Sequence, residues 1–532
     1  MTNQISPEDL RGWLLDDDEL SLIDVREEGV FGADGHLLFA VCLPMSRLEL
    51  DILSLVPRKS VRLVLCDGGD GLAERAAAKL SGWGYTDISI LTGGVPGWEA
   101  AGNVVFRGVN VPSKAFGEFV EIESNTPNIS AEELKAMMDR GENMVVLDSR
   151  PWVEYRRMNI PTGIDCPGAE LAYRVHDIVD DPDRTVVVNC AGRTRSIIGA
   201  QSLINAGVTN KVMALRNGTM GWALAGFDLE TGSDRNFLPV SDNGLREALA
   251  CAERVAKRFG IQTIDRATLG RWQNETETKS LYLLDVRNPD EYAAGHPPGS
   301  LSAPGGQLVQ ATDKWAGTYR SRLVLIDDTG VRATMTASWL VQMGWPNVFV
   351  LKDGLENTEL ETGAQQAPMV PMADDTVDMI SPEDVNTAIA VGSATVVDFA
   401  TSLEYKAGHI PGAWWAVRSR LANSLSGVSG DGLLVCTSPD GVLAAYAASD
   451  IAELTDRPVR ILDGGTAAWQ AAGQAVTQGF ENMADQNNDI QYKAYDHDDN
   501  IEFHMQEYLS WETGLVEQVE RDGTARFTHF PV

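Results

Sequence analysis

The stretch LYLLDVRNPDEYAAGHPPG, residues 281–299, decides how the rest of the chain is read. A continuous apolar run ending in Asp285 suits a strand of a sheet covered on both faces, and a Gly-His pair at 295–296 follows it. The same apolar run ending in Asp occurs as LSLIDVR (20–26), MVVLDSR (144–150) and ATVVDFA (394–400). A second buried-strand pattern follows each: VRLVLC to Cys66, TVVVNC to Cys190, RLVLID to Asp327 and GLLVC to Cys436.

Other features recur with these strands. A Ser or Asp able to cap a helix precedes each unit at Ser6, Ser130, Asp265 and Ser381. Gly-His, or its Asp-Gly-His variant, stands at His36, His296 and His409. A turn ending in tryptophan closes three units, at Gly93–Trp98, Asn217–Trp222 and Gly464–Trp469. Asp24 and Asp148, Cys66 and Cys190, and Trp98 and Trp222 are each 124 residues apart. Strands alternating with helical stretches such as LAERAAAKLSGWG predict α/β modules, each a mostly parallel sheet flanked by helices. The expected modules are 1–112, 122–232, 240–365 and 374–480, followed by a short α+β tail, 481–532. Residues 243–260 have helical apolar spacing and are expected to join the first pair of modules to the second. In the tail, IEFHMQEYLSWETG predicts a helix and LVEQVERDGTARFTHF a hairpin turning at Asp522-Gly523, with a role in packing or assembly and none in chemistry.

Composition narrows the function classes. The 532 residues carry 43 Lys and Arg against 76 Asp and Glu, a net charge of −33, which repels nucleic acid and anionic membranes. A small anionic substrate therefore needs a local positive potential. No apolar run reaches membrane-spanning length and the N-terminus has no basic, then apolar, leader, so a cytoplasmic location is expected. The six cysteines form no CxxC or Cys/His cluster, which argues against disulfides and zinc, and no metal or cofactor is expected.

In combination, L-D-V-R, E-Y-x-x-G-H-x-P-G, a strand entering a cysteine loop, and G-G-x-x-x-W resemble the rhodanese family from about residue 5 to about residue 475. The third copy matches the structural motif best, yet has Asp327 where the cysteine belongs. The resemblance implies tandem rhodanese-like modules and a sulfurtransferase that moves sulfane sulfur from a thiosulfate-like donor to cyanide or a thiol such as glutathione or a protein cysteine. It implies a persulfide intermediate on the loop cysteine.

Cys190 is the best candidate nucleophile. It ends a strand and opens Cys190-Ala191-Gly192-Arg193-Thr194-Arg195-Ser196 before a helix, so loop amides and the helix N-terminus can stabilise a thiolate. Arg193 and Arg195 are read as the cationic patch for the donor, and Arg150 as a further substrate-binding candidate at the same sheet edge. Cys66 and Cys436 are secondary candidates, weakened by neighbouring Asp67 and Asp70, and by Pro439 and Asp440. Cys166 could resolve a persulfide, but fits a buried strand better; the Gly-His histidines read as structural. By resemblance, related phosphatases hold five residues between cysteine and arginine, whereas Cys190 and Arg195 enclose four, the sulfur-transferring length. The other class left open is a non-catalytic scaffold or persulfide carrier whose degenerate modules bind a partner protein.

Overall fold

The apolar, Asp-ending runs are interior strands of four sheets in the computed structural model, which describes residues 3–356, 358–372 and 377–531. Module 1 contains β1 (Asn3–Ile5), β2 (Leu20–Asp24), β3 (Val41–Cys42), β4 (Arg62–Cys66) and β5 (Ile88–Leu91). Module 2 repeats them as β6 (Asn128–Ile129), β7 (Met144–Asp148), β8 (Ile164–Asp165), β9 (Thr185–Asn189) and β10 (Val212–Leu215). The order is β1-β5-β4-β2-β3, every pair is parallel, and the same order recurs in all four sheets. Parallel neighbours need crossover helices, which bury both faces; Val186, Val187 and Val188 are accordingly all fully buried.

Three repeated local devices explain the repeated sequence. Ser6, Ser130, Asp265 and Ser381 each accept a helix amide, from Asp9, Glu133, Thr268 and Asp384 at 2.8–3.2 Å. The rings of His36, His296 and His409 stack at 3.7 Å on Phe31, Tyr292 and Tyr405, and each Nδ1 meets a backbone carbonyl. Burial pushes His36 down to about 4, so it is a neutral packing residue. Arg26, Arg150 and Arg287 each fork onto the buried aspartate two residues earlier. Module 4 has Ala400 instead; there Asp398 Oδ2 is buried without a partner, and burial pushes the carboxyl up to about 7.

The modules are fused by polar and apolar contacts. Leu20 and Tyr319 exchange backbone bonds between modules 1 and 3, and Glu49 receives Arg418 of module 4 at 2.7 and 3.0 Å. Between modules 2 and 3, Glu170 accepts from Arg332 at 2.7 Å, and Trp339 Nε1 donates to Ser202 Oγ at 2.8 Å. The expected connector is a helix, Asp242–Phe259, packed between helices of modules 2 and 3 and closed by Gly260 in the left-handed conformation.

The tail departs from expectation. Ile501–Thr513 is helical as predicted, but Leu515–Asp522 is a second helix, and no hairpin forms there. The i,i+4 pair Leu515 and Val519 packs on Leu38, Phe106, Val111 and Ala115, so the helical period prevails. Gly523, φ +69, ends that helix; Asp-Gly serves as a helix stop as readily as a hairpin turn. The tail is therefore helical and extended rather than α+β among the described residues.

Candidate active site

β9 delivers Cys190 to the carboxyl edge of the module 2 sheet, and the helix Thr194–Ala206 leaves from the same loop. Strand register identifies its counterparts. Asp24 pairs with Cys66, Asp148 with Asn189, Asp285 with Ile326 and Asp398 with Thr437. The next residue heads each loop: Asp67, Cys190, Asp327 and Ser438.

This corrects the two secondary candidates. Cys66 corresponds to Asn189, inside the strand, and Cys436 lies one residue earlier still. Both are fully buried, and burial pushes both thiols up. The equal spacing of Cys66 and Cys190 is a coincidence of two offsetting differences. From Asp148 to its partner Asn189 the chain is one residue shorter than from Asp24 to its partner Cys66, and Cys190 stands one residue beyond the strand partner whereas Cys66 is the strand partner itself. Cys166 is also buried, its thiol raised by the same cause.

The loops gather backbone amides around the head side chain. Asp67 accepts from Gly69 and Ala73 at 2.8 and 3.0 Å, Asp327 from Gly330 and from Arg332 at 2.8 Å, and Ser438 from Ala444 at 3.2 Å. The corresponding amides in module 2 belong to Arg195 and Ser196, five and six residues after Cys190. An amide cradle that accommodates a carboxylate in modules 1 and 3 thus has a cysteine at its head in module 2. The loop is pinned from outside as well: Thr219 and Met220 donate to the carbonyls of Cys190 and Ala191 at 2.8 and 3.0 Å. Gly218 makes this approach possible, because a Cβ there, at φ +54, would meet the Cys190 carbonyl.

The arginines are placed differently from the cationic patch expected. Arg193 turns away from the loop onto Glu118, at 2.7 Å, and Glu121 of the inter-module helix Val111–Ser124. Arg195 forks onto Glu154 at 3.1 and 2.8 Å and reaches Gln307 of module 3 at 3.3 Å. Burial works against ionising Glu154, but Arg195 overrides it and brings the carboxyl down to about 2. Arg150 is committed to Asp148 and to the Met158 carbonyl. Each guanidinium is matched by carboxylate, as the acidic composition requires, and the loop amides are left as the main unpaired source of positive potential.

Sequence reasoning missed Glu154, whose signal was present. It is the Glu of the E-Y motif, and in module 3 the equivalent Glu291 pairs with Arg332, the counterpart of Arg195. It also missed Gln307, Tyr508 and Glu512, which reach the loop from outside module 2, and Lys114, which pairs with the last two. Thr194 Oγ1 donates to Glu512 at 3.1 Å, and Ser196 Oγ to the Arg193 carbonyl at 2.8 Å.

The rhodanese-like domain model matches residues 6–101, 130–225, 267–361 and 381–472. The chain belongs to the rhodanese-like family. A crystal structure of thiosulfate sulfurtransferase from Pseudomonas aeruginosa is similar throughout, with a TM-score of 0.95, 47% identity, and 99% of this chain and 100% of that one covered. A curated relative, the HTH-type transcriptional regulator Rv0324 of Mycobacterium tuberculosis, is 37% identical over 107 residues, 19% of this chain and 47% of that protein. The chain thus spans about half the length of that relative. Rhodanese-like modules account for the four sheets, and among the described residues no helix is long and apolar enough to cross a membrane.

Proposed function

We propose that this rhodanese-like chain is a sulfurtransferase working through Cys190, with a thiosulfate-like donor and a thiol or cyanide acceptor. The observation that carries this reading is the loop-head register: Cys190 is the cysteine at that position, where the other modules place Asp67, Asp327 and Ser438. The likeness to the Pseudomonas aeruginosa enzyme supports the same reaction class. In the first half-reaction the Cys190 thiolate forms a bond to the outer sulfur of the donor, and the donor S–S bond breaks with its electron pair leaving on sulfite. The amides of Arg195 and Ser196 stabilise the resulting persulfide. In the second, the acceptor bonds to the outer sulfur and the pair of the broken bond returns to the Cys190 sulfur. Arg195, forked onto Glu154, would have to exchange part of that pairing to meet the donor oxygens, so the loop amides carry most of the anion stabilisation. Modules 1, 3 and 4, whose loop heads satisfy their own amides, serve as a scaffold for the second.

Intact-protein mass after brief thiosulfate exposure tests this. Wild type and Cys66→Ser should each gain about one sulfur atom, and Cys190→Ser none. A gain that survives in Cys190→Ser, or is lost in Cys66→Ser, would overturn the assignment.

A further inference from the structure

The C-terminal segment closes over the catalytic loop. Helix Ile501–Thr513 sets Met505 and Leu509 against Met220, one of the two residues that pin the loop. Its next positions reach the loop itself. A Cβ on Gly192 would lie 3.0 Å from Tyr508 Cε1 and 3.1 Å from Glu512 Oε2, so even a methyl group there would crowd the helix against the loop. Glu512 is fully buried; Oε1 accepts from Thr194 Oγ1 at 3.1 Å and from Tyr508 Oη at 2.9 Å. Its Oε2, also buried, has no hydrogen-bond partner. The direct ion-pair partner of this assembly is Lys114: its Nζ, from the inter-module helix, lies 2.5 Å from Tyr508 Oη and 3.1 Å from Glu512 Oε1. Cys190 beneath is 2% exposed.

A carboxylate carried on a distant segment of an acidic chain, buried over an anion-stabilising loop, opposes the function proposed for that loop unless it holds something in place. Lys114 is what makes its burial tolerable, since a buried carboxylate stays in place only when paired. We propose that Tyr508 and Glu512 are positioning residues that roof the Cys190 loop, and that Lys114 is the pin that keeps the roof shut over the sulfur between half-reactions. The roof fixes the Gly192–Thr194 arc and excludes water from the persulfide. Donor and acceptor enter when it lifts. This rests on the reading of Cys190 as the persulfide site.

The full-length protein with Lys114→Met tests it, by two measurements. Iodoacetamide labelling, read by peptide mass, should accelerate at Cys190 by about tenfold, as expected for loss of one charge-assisted contact. Labelling at Cys66 and Cys436, both in strand cores, should stay unchanged. The thiosulfate-loaded form should also lose its extra sulfur faster in buffer without acceptor. Tyr508→Phe, which keeps the ring on Gly192 and removes the hydroxyl, should shift both readouts in the same direction, and Lys114→Arg should restore wild-type values. Unchanged Cys190 labelling would overturn the roof. So would parallel acceleration at Cys66 and Cys436, which marks general loosening, or failure of Lys114→Arg to restore closure. If wild type takes up no sulfur at all, the sulfurtransferase reading fails, while the labelling still decides whether the roof exists.

Discussion

At the residue scale, the four modules differ in chemistry at one position, the loop head. Asp67, Cys190, Asp327 and Ser438 occupy the same point of the same loop, and only a thiol there can become a persulfide. Nearby, Asp165 at the end of β8 has an oxygen without a donor; burial, and then the charge of Asp148, push its carboxyl up to about 8. The folded protein therefore keeps a proton that the unfolded chain releases near 3.8, so this contribution is complete below 3.8 and is lost as pH rises through about 8. Asp165→Asn removes that loss. Its Tm should exceed that of wild type by roughly 3 °C at pH 9, the shift expected from about 1 kcal/mol in a domain of this size. The difference should shrink on going down to pH 6, and an equal gain at both pH values would contradict the assignment.

At the scale of the element, the loop is held between a strand and a turn. The turn around Gly218 crosses the Cys190 carbonyl, as the turns around Gly94, Gly354 and Gly465 cross Asp67, Asp327 and Ser438. Gly218→Ala adds a Cβ at φ +54 against that carbonyl, at a cost of about 1–3 kcal/mol in strain or a displaced loop. Sulfur uptake from thiosulfate should fall by about tenfold or more while far-ultraviolet circular dichroism stays native, since the strands are untouched. Normal uptake would mean that the turn does not set the loop. The same comparison explains what was legible. The strands, caps and glycine turns follow from local patterns, whereas the identity of the loop head depended on which residues pair across the sheet. One residue fewer in the connection to that strand, offset by a cysteine one position further along, was enough to make Cys66 look equivalent to Cys190.

For the whole molecule, the third module, which has Asp327 instead of a loop-head cysteine, contributes a side chain to the surroundings of the Cys190 loop. Its Gln307 reaches Arg195, and its Arg332, fully buried, is neutralised by Glu170 of module 2 together with Glu291 and Asp328. Glu170 also accepts from Arg174 and Asn288. Glu170→Ala should cost about 3 kcal/mol, because it leaves buried guanidinium charge underpaired. It should lower the urea midpoint and separate the unfolding of module 2 from that of module 3. A single transition at the wild-type midpoint would show that the ion pair contributes nothing to the joint.

The sequence by itself determined the four-fold repeat, the α/β class, the parallel strands, the helix caps and the loop that begins at Cys190, because each is written in residues close together along the chain. The tertiary structure decided that Cys66 and Cys436 lie inside strands, that Arg193 and Arg195 are already paired, and that the tail is helical and covers the loop. Those outcomes depend on groups brought together from as far apart as Lys114, Gln307 and Glu512. Such groups meet only when the modules pack, so no local pattern of residues records them.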